Sequence, residues 1–186
     1  EYPEIQFSLK MRLGWENASE CMVLVELLNA IRLSRIALHA RTGKQQYKGH
    51  PDLEAFQGFY ELCQHPLYYN GGIESLSDIR QILTRFPLLK GVFIGRGLLS
   101  SPLLAKEFKG NETFLPEQRM SIYFAFHEEL FSAYSQVLQG ETQLLVKMKT
   151  LWEYFLPETD RKLLKRIKKS TRLQQYTESV KAIFTS

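Results

Sequence analysis

The 186 residues contain only two cysteines, Cys21 and Cys63. Both sit in apolar helical patterns, so they read as buried thiols in a reducing compartment. No apolar run approaches the roughly 20 residues that a bilayer-spanning helix needs. Nothing reads as a signal peptide. These absences predict a cytoplasmic chain with no membrane partner. Neither sign of charge dominates: 24 Lys and Arg stand against 20 Asp and Glu, a formal net charge of +4 and a pI of about 9.0. That excess suits an anionic partner without requiring one. No His, Cys, Asp and Glu grouping reads as a metal site. The chain is 44% hydrophobic and 24% charged, a globular composition long enough for one core and a second small domain.

The first part of the chain alternates two kinds of segment. "EIQFSLKMRL" (4–13) reads as a strand. In "NASE", Asn17 is a plausible N-cap with Glu20 three residues on, as in a capping box. "CMVLVELLNAI" then has helical spacing. "RIALHA" is a short continuous apolar run, as in a strand buried on both faces. "PDLEAFQGFYELC" is a helix opened by Pro51 or Asp52. "PLYYN" and "GVFIG" are further strands. "SLSDIRQILTRF" is a helix capped by Ser75 with Asp78, and "SPLLAKEF" is one with Pro102 in its first turn. Strands recur about every 25–30 residues, the rhythm of parallel βα units.

After about Gly110 no strand signal remains. Four helical patterns follow, punctuated by Gly140 and Pro157. A boundary is expected near 108–113, dividing residues 1–110 from a helical bundle over 111–186. The fold class is therefore α/β followed by all-α.

In parallel α/β folds, ligands meet the loops at the carboxyl ends of the strands. Here those ends carry Lys10 and Arg12, then His39 and Arg41, then Asn70–Gly71–Gly72, then Gly95–Arg96–Gly97. Glycines let backbone N–H groups approach a phosphate, helix N-termini add partial positive charge, and Arg96 can bind phosphate oxygens. Singly, "NGG" reads as a turn and His39 as a core histidine. Together they point to a phosphorylated ligand.

Four stretches, "LKMRLGW", "LHARTGKQQYKG", "LYYNGGI" and "GVFIGRGLLSSP", occur in order over residues 7–103. They resemble successive signatures of the tRNA-dihydrouridine synthases, and "LLVKMKTLWEYF" is similar to that family's C-terminal helical domain. The resemblance implies the second half of a TIM (β/α)8 barrel, four parallel βα units, followed by a helical bundle. It implies an FMN-dependent oxidoreductase, a flavoprotein that reduces uridine in tRNA with NAD(P)H. Lys10 and His39 would contact the flavin, Asn70, Gly71 and Gly72 would lie near its phosphate and ribityl chain, and Gly95 and Arg96 would bind the phosphate. The family usually has an acid where Gly72 stands. Arg41, Lys44, Tyr47 and Lys48 would form the rim where tRNA enters, although "GKQQYKG" also reads as a plain solvated loop.

The family's catalytic cysteine belongs to an Asn-x-Gly-Cys-Pro-like segment in the first half of the barrel. No such segment is present here, and neither Cys21 nor Cys63 lies at a strand end, so no catalytic residue is assigned. The start at Glu1 rather than Met fits a piece of a longer chain, so the partners are the missing N-terminal half or a second copy. The chain alone is expected to be inactive.

From Lys147 to Lys169 basic residues outnumber acidic ones by more than two to one. Lys162, Lys165, Arg166 and Lys169 share a helical face. With Lys147 and Lys149 they form a candidate tRNA-backbone surface. Trp152, Tyr154, Phe155, Tyr123, Phe124 and Phe126 read as core. Two alternatives stand beside the synthase reading: a non-catalytic RNA-binding or scaffold module derived from the barrel, and another FMN barrel reductase acting on a small molecule.

Overall fold

The computed structural model describes residues 4–185. The chain divides into two compact units, one ending at Gly97 and one beginning at Leu98. The first holds a four-stranded sheet of β1 (Ser8–Arg12), β2 (Arg35–His39), β3 (Leu67–Asn70) and β4 (Gly91–Phe93), in the order β1-β2-β3-β4. Every pair is parallel. Helices α1 (Glu20–Asn29), α2 (Leu53–Leu62) and α3 (Leu76–Arg85) form the crossovers. The strand order never reverses, so right-handed crossovers put all three helices on one face.

That face is apolar. Ile36 and Leu38 of β2 and Tyr69 of β3 are buried beneath the helices. Phe56 of α2 meets Tyr69 edge-on at 4.9 Å and Phe86 at 5.0 Å. Such pairs add about 0.5–1.5 kcal/mol each beyond their area burial. Because side chains alternate along a strand, the other face carries the intervening residues. One row of that face runs Arg12, His39, Asn70, Phe93 in direct register. Lys10 lies one step back, opposite Ala37.

Two expected helix starts hold and two do not. Asp52 caps α2, accepting from the Ala55 N–H at 2.9 Å. Ser75 and Asp78 close a capping box on α3. Asn17 is not the cap of α1, which begins at Glu20 behind Ser19. The Glu20 half of the expected box does form: its carboxylate accepts the N–H of Asn17, and those of Trp15 and Glu16 as well, at 2.7–3.0 Å, stabilising the turn before the helix. Pro102 does not open a helix either. It lies between α4 (Arg96–Ser100) and α5 (Leu104–Gly110). The first strand is also shorter than its alternating pattern, spanning only Ser8–Arg12.

The second unit contains α5, α6 (Pro116–Val137), α7 (Glu141–Leu151), α8 (Arg161–Lys169) and α9 (Leu173–Phe184). Its core includes Tyr123, Met148, Trp152, Phe155, Ile167 and Tyr176, with Phe124 and Phe126 packed against it. Tyr154, expected in this core, is 36% exposed. Three polar groups are satisfied inside: the Trp152 indole N–H donates to the Tyr176 hydroxyl at 2.9 Å, and Tyr176 meets His127 Nε2 at 2.7 Å. Trp152 can only donate, so the Tyr176 proton is left for His127.

Candidate functional site

The loops after β1 and β2 are zipped together. Gly43 N–H donates to the Gly14 carbonyl at 2.8 Å and Lys44 N–H to the Trp15 carbonyl at 2.9 Å. The approach is close enough that a Cβ on Gly43 would stand 2.3 Å from the Trp15 ring. Arg12 reinforces it from the sheet. Its Nη1 donates to the carbonyls of Thr42 at 2.8 Å and Gln46 at 3.0 Å. Within the loop, the Gln45 amide donates to the carbonyls of Lys48 and His50. The stretch from His39 to Gly49 is therefore a tied structure rather than a loose connection.

Tyr47 stands out of this loop, 60% exposed. Its ring lies 4.4 Å from the Arg96 guanidinium carbon and 5.8 Å from that of Arg12. Cation–π contacts of this kind hold the two guanidiniums by one ring. The His39 ring is 6.3 Å away. Lys44 pairs with Glu16 at 2.5 Å on the surface, and Lys48 is exposed.

His39 itself is 5% exposed. Burial pushes its imidazole down to about 4, and the charges of Arg12, Lys10, Arg41 and Arg96 act in the same direction. It is therefore neutral at pH 7. The sequence puts Arg41 on the rim, but the structure places it inside, 4% exposed. Its Nη1 lies 3.3 Å from His39 Nε2, and its Nη2 donates to the Gly49 carbonyl at 3.0 Å.

The other two strand ends approach the same place. Asn70 donates through Nδ2 to the Phe93 carbonyl at 2.8 Å, which ties the end of β3 to β4. Gly71, at φ +135°, packs on His39: a Cβ there would be 3.1 Å from Cδ2. Gly72 sits at φ +60°, with a would-be Cβ 2.9 Å from Pro51. A left-handed backbone against proline explains why glycine stands here. Gly97 lets its backbone approach the Ile73 carbonyl, where a Cβ would be 2.2 Å away. Gly95 differs from all of these. It is exposed and nothing lies within 4 Å of its would-be Cβ, so packing within the chain does not require a glycine there.

Lys10, Arg12, His39, Arg41, Asn70, Gly71, Gly72 and Arg96 thus share one end of one sheet face. Arg12 carries more of the architecture than Lys10, and the period-2 rule marks it, since it sits two residues along on the same face. Trp15 is a further exposed aromatic on the rim, with no signal in the strand pattern. An anion finds concentrated positive charge here.

On the second unit, Lys162, Lys165, Arg166 and Lys169 line a groove of about 410 Å³ with Ser170, Gln175, Glu178 and Ser179. Lys147 lies over the Tyr134 ring at 5.4 Å. Lys149 donates from Nζ to the Ser170 carbonyl at 2.8 Å, at the end of α8.

A family model for dihydrouridine synthase (Dus) matches residues 2–185. The chain is similar to a probable tRNA-dihydrouridine synthase of Rhizobium leguminosarum bv. phaseoli, with 35% identity over 100 residues, 53% of this chain and 31% of that protein. A probable tRNA-dihydrouridine synthase of Aquifex aeolicus is 35% identical over 105 residues, 56% of this chain and 33% of that protein. The tRNA-dihydrouridine(16) synthase of Escherichia coli strain K12 is 28% identical over 110 residues, 59% of this chain and 35% of that protein. The matched part spans about a third of the length of these curated relatives.

Proposed function

Because the chain belongs to the dihydrouridine synthase family, we propose that its strand-end cluster is the FMN site of a tRNA-dihydrouridine synthase and that its helical unit contacts tRNA. The single observation that carries this reading is the gathering of Lys10, Arg12, Arg41 and Arg96 around a neutral, buried His39. Four cations on one face fit a phosphorylated, electron-rich ligand. The open position at Gly95 and the unpartnered Nε of buried Arg41 fit it as well. Four parallel βα units in unreversed order suit the second half of an eight-stranded barrel, with α5–α9 as a helical bundle.

In this reading Lys10 and His39 donate to the polar edge of the flavin ring. The backbone of Asn70–Gly72 lies along the ribityl chain and phosphate, and Gly95 and Arg96 hold the phosphate oxygens. Bound FMN would supply the hydride that reduces the uracil double bond, with NAD(P)H as the electron donor. Lys44, Tyr47 and Lys48 form the rim toward the RNA. Tyr47 offers a π-face to a base and the lysines offer charge to phosphates. On the second unit, Lys147, Lys162, Lys165, Arg166 and Lys169 offer charge of their own to the RNA backbone. Arg41 serves the flavin site rather than the rim.

The 186 residues by themselves do not reduce uridine in this account. Burial holds the thiols of Cys21 and Cys63 above their ordinary range, and neither sits at a strand end. Filter binding of unmodified tRNA tests the RNA half of the reading. Saturable binding is expected, with affinity falling log-linearly with salt. Changing Lys162, Lys165, Arg166 and Lys169 together to Gln should flatten the slope by about 0.7–0.9 for each phosphate that is no longer neutralised. Binding indifferent to salt and to that variant would contradict it. Dihydrouridine formation by the purified chain would overturn the inactive-segment proposal.

A further inference from the structure

Arg41 combines the burial of a core residue with a charge that persists at any physiological pH. Among the described residues no carboxylate forms an ion pair with it. The neighbouring Tyr69 phenol, pushed up to about 12 chiefly by burial, is neutral and supplies no counter-charge. Two of its nitrogens are engaged, by the Gly49 carbonyl and by His39, while Nε is buried without a partner.

A guanidinium can only donate hydrogen bonds. The histidine atom it faces must therefore accept, so Nε2 of His39 carries the lone pair and Nδ1 carries the proton. Gly71 closes the same edge of the ring, since a Cβ there would stand 3.1 Å from Cδ2 and 3.5 Å from Nε2. Nδ1 makes no hydrogen bond among the described residues, and it is not a buried orphan. Lys10 and Arg12 from β1, Arg41 from the β2–α2 loop and Arg96 from α4 all oppose a second proton on the ring.

From this geometry we propose that Arg41 is a positioning residue: it fixes His39 in the Nδ1–H tautomer, so that a neutral hydrogen-bond donor faces the bound ligand. The identity of that ligand rests on the flavin reading above, whereas the tautomer does not. A protonated His39 would instead present charge at both nitrogens, and the opposite tautomer would present an acceptor on its free side.

The experiment is a long-range 1H–15N correlation spectrum of the full chain, labelled with 15N-histidine and free of ligand. His39 signals are identified by their loss in His39→Gln. At pH 7 they are expected to show the neutral, Nδ1-protonated pattern. Arg41→Met removes the donor and should release His39 toward the Nε2–H tautomer, with its titration moving up toward the ordinary histidine value near 6.5. Arg41→Lys keeps a cationic donor and should restore the native pattern. FMN affinity should fall about tenfold in Arg41→Met and recover partly in Arg41→Lys, as expected for one misaligned hydrogen bond. A native His39 that is Nε2-protonated or doubly protonated would overturn the proposal. So would an unchanged Nδ1–H pattern in folded Arg41→Met. If that variant does not fold, the native spectrum decides alone. Absence of FMN binding beside a native Nδ1–H pattern counts against the flavin reading and leaves the tautomer established.

Discussion

Gly72 and Gly95 have no side chain for different reasons, and substitution separates them. At Gly72 the backbone is left-handed at φ +60° and Pro51 occupies the space a Cβ would need. Gly72→Ala should therefore lower stability by about 1–3 kcal/mol, read as a shifted urea midpoint. Gly95 has neither constraint. Gly95→Ala should leave the midpoint within about 0.5 kcal/mol while weakening FMN binding, because the methyl enters the space that the proposed site gives to the phosphate. Equal midpoint losses for the two variants would contradict this distinction. His39 gives a pH signature with a definite sign. Its pKa is near 6.5 in the unfolded chain and about 4 in the fold. Between those values the unfolded chain takes up a proton that the native state refuses, so stability falls as pH drops from about 6.5 to about 4. Above pH 6.5 this contribution is flat. His127, also depressed by burial, adds a trend of the same sign, so the difference between the native chain and His39→Gln isolates the site. A pH-independent difference from pH 4 to 7 would disprove the assignment.

At the scale of the elements, local rules governed some starts and tertiary contacts governed others. The capping box of α3 is closed from both sides, by Ser75 on the Asp78 N–H and by Asp78 on the Ser75 N–H. Ser75→Ala should cost about 1 kcal/mol, measured by thermal unfolding, and Asp52→Ala at α2 a similar amount; no loss at either would show that packing alone sets these helices. Both caps were legible because the side chain and its target lie within one turn. At Asn17 only half of the expected box forms: the Glu20 carboxylate reaches back to the Asn17 N–H, and also to those of Trp15 and Glu16, but no side-chain cap precedes α1, which starts at Glu20. The two further N–H groups on Glu20 are invisible in spacing. Strand β2 was legible as a continuous apolar run, and its buried residues Ile36–His39 agree. Arg41 was not, because an arginine in a loop reads as solvent-facing until His39, Gly49 and Gly72 are brought around it. Tyr154 was misread as core because the helical pattern it extends ends at Leu151, leaving it in a turn.

Across the whole molecule the net charge of +4 is modest, and what matters is its placement. One group of cations gathers at the strand ends of the first unit and another along α8 of the second. The strand-end group gathers around an exposed tyrosine and a buried histidine, which suits the compact ligand proposed for it. The α8 group lines a groove, which suits the polyanion backbone proposed there. The sequence marked both groups, because period-2 and three-to-four spacing sort charges onto faces. It did not mark the tie from Arg12 to the 42–46 loop, which joins residues 30 and 34 positions apart.

The measurement that tests the central claim most directly is a flavin-fluorescence titration of the purified chain with FMN, repeated with riboflavin and with Arg96→Ala. The account predicts saturable quenching by FMN, weaker binding of riboflavin, which lacks the phosphate, and a loss of about 10–100-fold for FMN in Arg96→Ala, the range for a charged hydrogen bond to phosphate. Equal affinity for FMN and riboflavin, or an Arg96→Ala variant that binds FMN as well as the native chain, would contradict it.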